Sequence, residues 1–202
     1  MRLSNGEVLL GWPLAAHVVT AGYYYNGGGA HGAIDLRTAG SGTTVQPVLA
    51  AEDGTVDWVQ DWDGVTRTGM QSYGTAVRLQ HADYRGRALR TRYAHLSVRC
   101  VDSGDTVQAG QVIGYSGETG NCCGAHLHFE VIWDGVRRNP LVWLDDDFST
   151  AGRAVYTYGK NEGPVQRPRL VMLRIGPASA GDAARLRALA EELGLGVALT
   201  EG

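Results

Sequence analysis

The chain has 202 residues, 44% of them hydrophobic, with 18 basic and 21 acidic side chains mixed along its length and a formal charge of −3. That suits one domain of ordinary size with a real core. It offers no basic stripe for a phosphate backbone, so nucleic acid is not an expected partner, and the 29 glycines show no collagen-like period.

The opening "MRLSNGEVLLGWPLAAHVV" is interrupted by Glu7, Gly11 and Pro13, so it reads neither as a secretory leader nor as a membrane span. The loop "GYYYNGGG" (22–29) leads into "AHGAIDLRT". A helix there is disfavoured by Gly28, Gly29 and Gly32. As a strand, it places Ala33 and Asp35 on one face and Ile34 and Leu36 on the other, toward the core. Strands are then expected at "GTVDWVQ" (54–60), "GTAVRLQHA" (74–82), "ALRTRYAHLSV" (88–98), "QVIGYSG" (111–117) and "HLHFEVIWDG" (126–135), punctuated by glycine turns. The long loop "DWDGVTRTGMQS" (61–72) separates the first two. The stretch "GDTVQAGQVIG" resembles the turn sequence of biotinyl or lipoyl carrier domains, which implies a compact hairpin, but the lysine that such carriers modify is missing. The expected fold is mainly β: a compact antiparallel sheet, closed or folded over on itself like a barrel.

Past residue 158 the texture changes. Residues 159–168 read as a polar, proline-containing linker, and 169–202 as a small β-α-β element. In it, strands at 170–175 and 196–200 flank a helix capped near Ser179 and Asp182, with Ala183, Leu186, Leu189, Ala190 and Leu193 along one face. So small a piece cannot bury a stable core alone, so it is expected to pack on residues 1–158, to pair with another chain, or to begin a larger domain.

The chemistry concentrates in the histidines. On a strand, His126 and His128 of "AHLHFEV" project to one face about 6.6 Å apart, while Leu127 and Phe129 face the other way. A straight strand would hold His31 about 13 Å from Asp35, so the two meet at one ion only if the chain bends near Gly32. Two exposed histidines on a wet strand face, and His31 in a glycine loop, are the plain alternatives. Taken together, His31, Asp35 and one histidine of the later pair supply zinc with two nitrogens and a carboxylate oxygen, leaving a fourth position open as in catalytic sites. The remaining histidine and His95 of "RYAHLS" could then handle protons near neutral pH. Spacing alone does not assign which histidine binds. His17 and His81 read as structural or surface residues.

"HGAID", "YAHL" and "GAHLHFEV", in that order, resemble the lysostaphin-like zinc metallopeptidases, the M23 or LytM-type peptidoglycan endopeptidases. The similarity covers about residues 10–145. It implies a barrel-like metallopeptidase domain in which zinc is held by His31, Asp35 and His128, with His95 and His126 as the catalytic pair. The implied reaction is attack by water on an amide carbon in the peptide stems or cross-bridges of bacterial peptidoglycan, at the cell wall, in the periplasm or outside the cell, with no membrane insertion. The loops at 22–29 and 61–72 are candidate cleft walls. A noncatalytic wall-associated scaffold or regulator with the same fold is the alternative. The uninterrupted match at all five positions argues against it. With no leader evident, delivery by a bacteriophage or mobile element, as an endolysin, fits the pattern. Cys100, Cys122 and Cys123 have no family role. A bridge from Cys100 to one of the adjacent pair would leave its neighbour unpaired, and a thiolate on the zinc would close its open position.

Overall fold

The computed structural model describes residues 2, 7–25, 28–38, 45–144 and 155–156. Its strands are β1 (Val18–Ala21), β2 (Ile34–Arg37), β3 (Pro47–Leu49), β4 (Gly54–Gln60), β5 (Thr75–Gln80), β6 (Leu89–Arg99), β7 (Thr106–Val107), β8 (Val112–Ser116), β9 (His126–Trp133), β10 (Val136–Arg138) and β11 (Val155–Tyr156). The five strands expected from residues 54 to 135 all form, with ends within two residues of those expected. The sheet runs β11-β1-β2-β9-β6-β5-β4-β7, with β10 beside β9, and β8 joined to β6 and β3. Every pairing but that of β1 with β11 is antiparallel, as the sequence led one to expect. No helix among the described residues is long and apolar enough to cross a membrane.

The expected hairpin needs correction. The turn forms, with the Gln111 amide donating to the Gln108 carbonyl, but β7 pairs with β4 while β8 pairs with β6 and β3. Each strand buries its own apolar residue, Val107 or Ile113, and the two strands bond to different partners. The linker at 159–168 and the β-α-β element at 169–202 lie outside the described residues.

Strand β9 shows how the core positions the site. Leu127, Phe129 and Val131 are fully buried on one face, together with Ile34, Leu36, Leu79 and Leu89. Burial of side chains this size is worth about 1.5–3 kcal/mol each. The other face carries His126, His128 and Glu130. On this face His126 stays partly exposed, whereas Glu130, met by Arg92, Tyr73 and Arg137, has no exposed surface. A buried polar row is more informative than a buried apolar one, because it must be satisfied internally.

Two irregularities aim the remaining groups. In the β5–β6 pairing, Thr75 faces Leu96 and Val77 faces Tyr93, so two steps on β5 oppose three on β6. Tyr93 packs in the core against Phe129. Strict alternation would send His95 to the same side. The bulge, with His95 at φ +61°, turns it to the polar face instead. The second irregularity is a pair of glycines, Gly74 (φ +64°) and Gly120 (φ +76°), that press two loops together. A Cβ on Gly120 would lie 2.3 Å from the Gly74 nitrogen, and the Asn121 amide donates to the Ser72 carbonyl across the seam (2.9 Å).

Candidate metal centre

Asp35 of β2 pairs directly with His128 of β9, with Ile34 opposite Phe129 and Leu36 opposite Leu127. The alternation that buries the apolar neighbours therefore delivers both functional side chains to one face. His31 reaches the same point because the chain bends where expected: Gly32 has φ +78°, and the amides of His31 and Gly32 both donate to the Tyr23 carbonyl. Three donor atoms converge. His31 Nε2 lies 3.2 Å from His128 Nδ1 and 3.3 Å from Asp35 Oδ1, and His128 Nδ1 lies 3.1 Å from Asp35 Oδ1.

This set fits zinc. Ligand bonds of about 2.0–2.1 Å at tetrahedral angles place the ligand atoms about 3.3 Å apart. The tautomers agree as well. His31 Nδ1 donates to the Gly22 carbonyl (2.9 Å), and His128 Nε2 faces Glu130 Oε1 (3.4 Å). The two nitrogens that face each other are then left with lone pairs beside a carboxylate oxygen, an arrangement that a cation satisfies. Burial works to raise the Asp35 pKa, but the imidazoles of His128, His31 and His126 outweigh it and hold the carboxyl well below its usual range. Burial likewise opposes charge on His128, yet Asp35 and Glu130 raise its pKa.

The other two histidines stand beside this cluster. The rings of His95 and His126 are edge to face, 4.8 Å between centroids. His95 Nδ1 donates to the Thr119 carbonyl (2.8 Å), leaving Nε2 as its free acceptor. Burial, followed by the neighbouring His126 and His128, lowers its pKa to about 4, so the resting imidazole is neutral. His126 Nδ1 lies 2.8 Å from the Gly124 carbonyl, and its Nε2 is 3.6 Å from Asp35 Oδ1. All five sequence-selected residues thus meet in one cleft of about 470 Å³.

The cleft walls include Tyr25, Ser72, Tyr73, Asn121, Cys123 and Arg137, so both candidate loops contribute. Tyr25 stacks on His31 at 4.6 Å, whereas the Tyr23 hydroxyl donates to the Arg137 carbonyl and packs the loop in place. Glu130 is the residue that sequence reading missed. Its carboxylate accepts from Arg92 (2.9 Å), the Tyr73 hydroxyl (3.0 Å) and Arg137 (3.2 Å) while facing His128. Its place two residues past His128, on the same strand face, was the available signal.

All three cysteines are free thiols, so the bridge from Cys100 does not form. Neither Cys122 nor Cys123 belongs to the His31–Asp35–His128 cluster. Burial pushes the Cys122 thiol up to about 11, so it rests protonated, donating to the Gly124 carbonyl. His17 stacks on Trp12, and His81 is buried between the Asp53 carbonyl and Thr91, both away from the cleft. A second hollow of about 360 Å³, lined by Tyr84, Trp133 and Trp143 among others, contains none of the five site residues.

Comparison with known proteins adds an independent line. Residues 29–140 match the model of peptidase family M23. Peptidoglycan DD-endopeptidase ShyC of Vibrio cholerae is 34% identical over 116 residues, a stretch that covers 57% of this chain and 24% of that protein. The chain therefore spans about a quarter of that relative's length. Among solved structures, a zinc-containing peptidase from Vibrio cholerae is similar with a TM-score of 0.52 at 26% identity, covering 66% of this chain and 39% of that one. A chain of the SpoIIQ–SpoIIIAH pore-forming complex is similar with a TM-score of 0.51 at 28% identity, covering 68% of this chain and 92% of that one.

Proposed function

The chain belongs to peptidase family M23, and on that premise we propose that it is a zinc-dependent endopeptidase hydrolysing amide bonds in the peptide stems or cross-bridges of bacterial peptidoglycan. The convergence of His31 Nε2, Asp35 Oδ1 and His128 Nδ1 at 3.1–3.3 Å, with two further histidines beside them, carries this reading. Those three residues would hold zinc. The ion supplies Lewis acidity at the scissile carbonyl and makes a water nucleophilic near neutral pH.

The chain's own groups supply the rest. His95 Nε2, kept free by the bond from Nδ1 to Thr119, accepts a proton from the attacking water. His126, steadied through Nδ1 at Gly124, presents Nε2 to deliver a proton to the leaving amine. The C–O bond forms first, as the carbonyl π electrons move onto oxygen to give a tetrahedral adduct; the C–N bond then breaks as the carbonyl re-forms and His126 protonates the nitrogen, so the amine departs neutral. No covalent enzyme intermediate is needed, in keeping with the protonated state of Cys122. An extended peptide would lie between the Tyr25 wall and the Ser72–Tyr73 wall, and a peptidoglycan substrate implies action at the cell wall, in the periplasm or outside the cell.

The noncatalytic alternative draws on the likeness to the pore-forming complex. Against it stands the complete set of five side chains, each with a defined partner. Mass analysis of fragments released from purified peptidoglycans of different cross-bridge types, with and without chelator, decides between them. The peptidase releases stem or bridge peptides that the chelator suppresses. If no wall type yields fragments with zinc in supply, the scaffold reading replaces it.

A further inference from the structure

A second group of ligating side chains stands beside the first. His95, Cys122 and His126 each offer one donor atom, and the three atoms lie within 4.8 Å of one another. Cys122 Sγ is 3.3 Å from His126 Nδ1. In a tetrahedral zinc site, with bonds of about 2.3 Å to sulfur and about 2.0–2.1 Å to nitrogen, these two atoms sit about 3.5 Å apart. His95 brings Nε2, because its Nδ1 is committed to Thr119. A set of one sulfur and two imidazole nitrogens, with no carboxylate among them, selects zinc over magnesium or calcium. Hydrolysis leaves Cys122 without a chemical task.

We propose that His95, Cys122 and His126 form a second zinc site whose occupancy withdraws both histidines from proton transfer and silences the peptidase. As the ion binds, the Cys122 S–H bond breaks and its proton leaves to solvent, the His126 proton moves from Nδ1 to Nε2 as the bond to the Gly124 carbonyl is given up, and the thiolate sulfur and the freed Nδ1 take the metal. This site fills after the first. His126 Nε2 lies only 3.6 Å from Asp35 Oδ1, so a cation held by His31, Asp35 and His128 repels a second one, and the thiol proton must also be displaced. The chain is then active with one zinc and silent with two, and the local zinc level acts as its regulator. The regulatory part rests on the reading of His95 and His126 as the proton-transfer pair.

Cobalt(II) titration of the full chain tests the site apart from the activity, because only a thiolate ligand gives the near-ultraviolet sulfur-to-cobalt charge-transfer band and the first cluster has none. In the wild type, one equivalent binds without the band, and a second equivalent brings it. In parallel zinc titrations, wall hydrolysis falls by about a hundredfold or more as the second ion binds, the scale expected when proton transfer is lost. Cys122→Ser keeps the bond to the Gly124 carbonyl and is expected to bind one ion, to show no band, and to stay active in excess zinc. Cys122→Ala is expected to do the same. Binding of a single ion by the wild type, a band that persists in Cys122→Ser, or equal zinc inhibition of wild type and Cys122→Ser would each overturn the proposal. A chain that never hydrolyses wall but shows the Cys122-dependent band refutes the peptidase reading and the switch, leaving a metal site. A chain that hydrolyses at every zinc level without the band refutes the second site and leaves the peptidase.

Discussion

Replacing Glu130 by glutamine changes almost no volume but removes a charge with no exposed surface. Oε2 takes the Arg92 guanidinium at 2.9 Å, while Oε1 serves Tyr73, Arg137 and the Nε2 side of His128. A glutamine has one acceptor oxygen for these two jobs. With its oxygen toward His128, its NH₂ meets Arg92, donor against donor. Turned over, its NH₂ meets the His128 N–H, and the tautomer that frees Nδ1 for metal is lost. Removing one member of a buried ion pair costs about 3–5 kcal/mol, and the retained shape and partial bonding place Glu130→Gln near the lower figure. Loss of a partner that orients a ligating histidine costs about 10–100-fold in metal affinity, or about 1.4–2.8 kcal/mol. Urea unfolding of the zinc-free chain reads the first effect, and competition with a chromogenic chelator reads the second. Lowered stability with zinc affinity within about twofold of wild type would refute the link from Glu130 through His128 to the metal.

Other outcomes follow from the same geometry. Asp35→Ala is expected to lose bound zinc and hydrolysis together; hydrolysis retained without zinc would sink the mechanism. His95→Ala is expected to keep its zinc content while wall hydrolysis falls by about 10²–10⁴, the range for loss of a proton-transfer group; a fall below tenfold would remove His95 from that role. Burial depresses the pKa of His81 below its ordinary value of about 6.5, so the neutral form stabilises the fold at higher pH. That contribution is lost as pH falls through about 6.5 toward the depressed folded value. Melting temperatures measured between about pH 7 and pH 5 are expected to fall more steeply for the wild type than for His81→Gln, and parallel curves would refute the assignment.

Much of this was legible in the residues. The alternation in "HLHFEV" placed two histidines on one strand face and the core on the other, and Gly32 marked the bend that lets His31 reach Asp35. Order of motifs then separated His128 from His126, which spacing could not do. What stayed hidden depends on pairing between distant strands. Nothing in "RYAHLS" reveals a bulge, because the extra residue exists only relative to β5. The divergence of β7 and β8 has the same origin, since a turn read locally does not say which neighbours its arms will bond to. Arg92 and Tyr73 converge on Glu130 from separate elements, and neither carries a local sign of that meeting.

The seam between Gly74 and Gly120 bears on how such a cleft could be redesigned. The turn at 69–74 brings Ser72 and Tyr73 to the cleft, while the loop just past residue 116 brings the Thr119 carbonyl to His95. With less than the width of a methyl group between their backbones, neither loop can be swapped for a longer or bulkier one alone. A graft that alters the wall without its counterpart would pull the Thr119 carbonyl away from His95, so the two segments form a single exchangeable cassette, and changes to this cleft must travel as matched pairs.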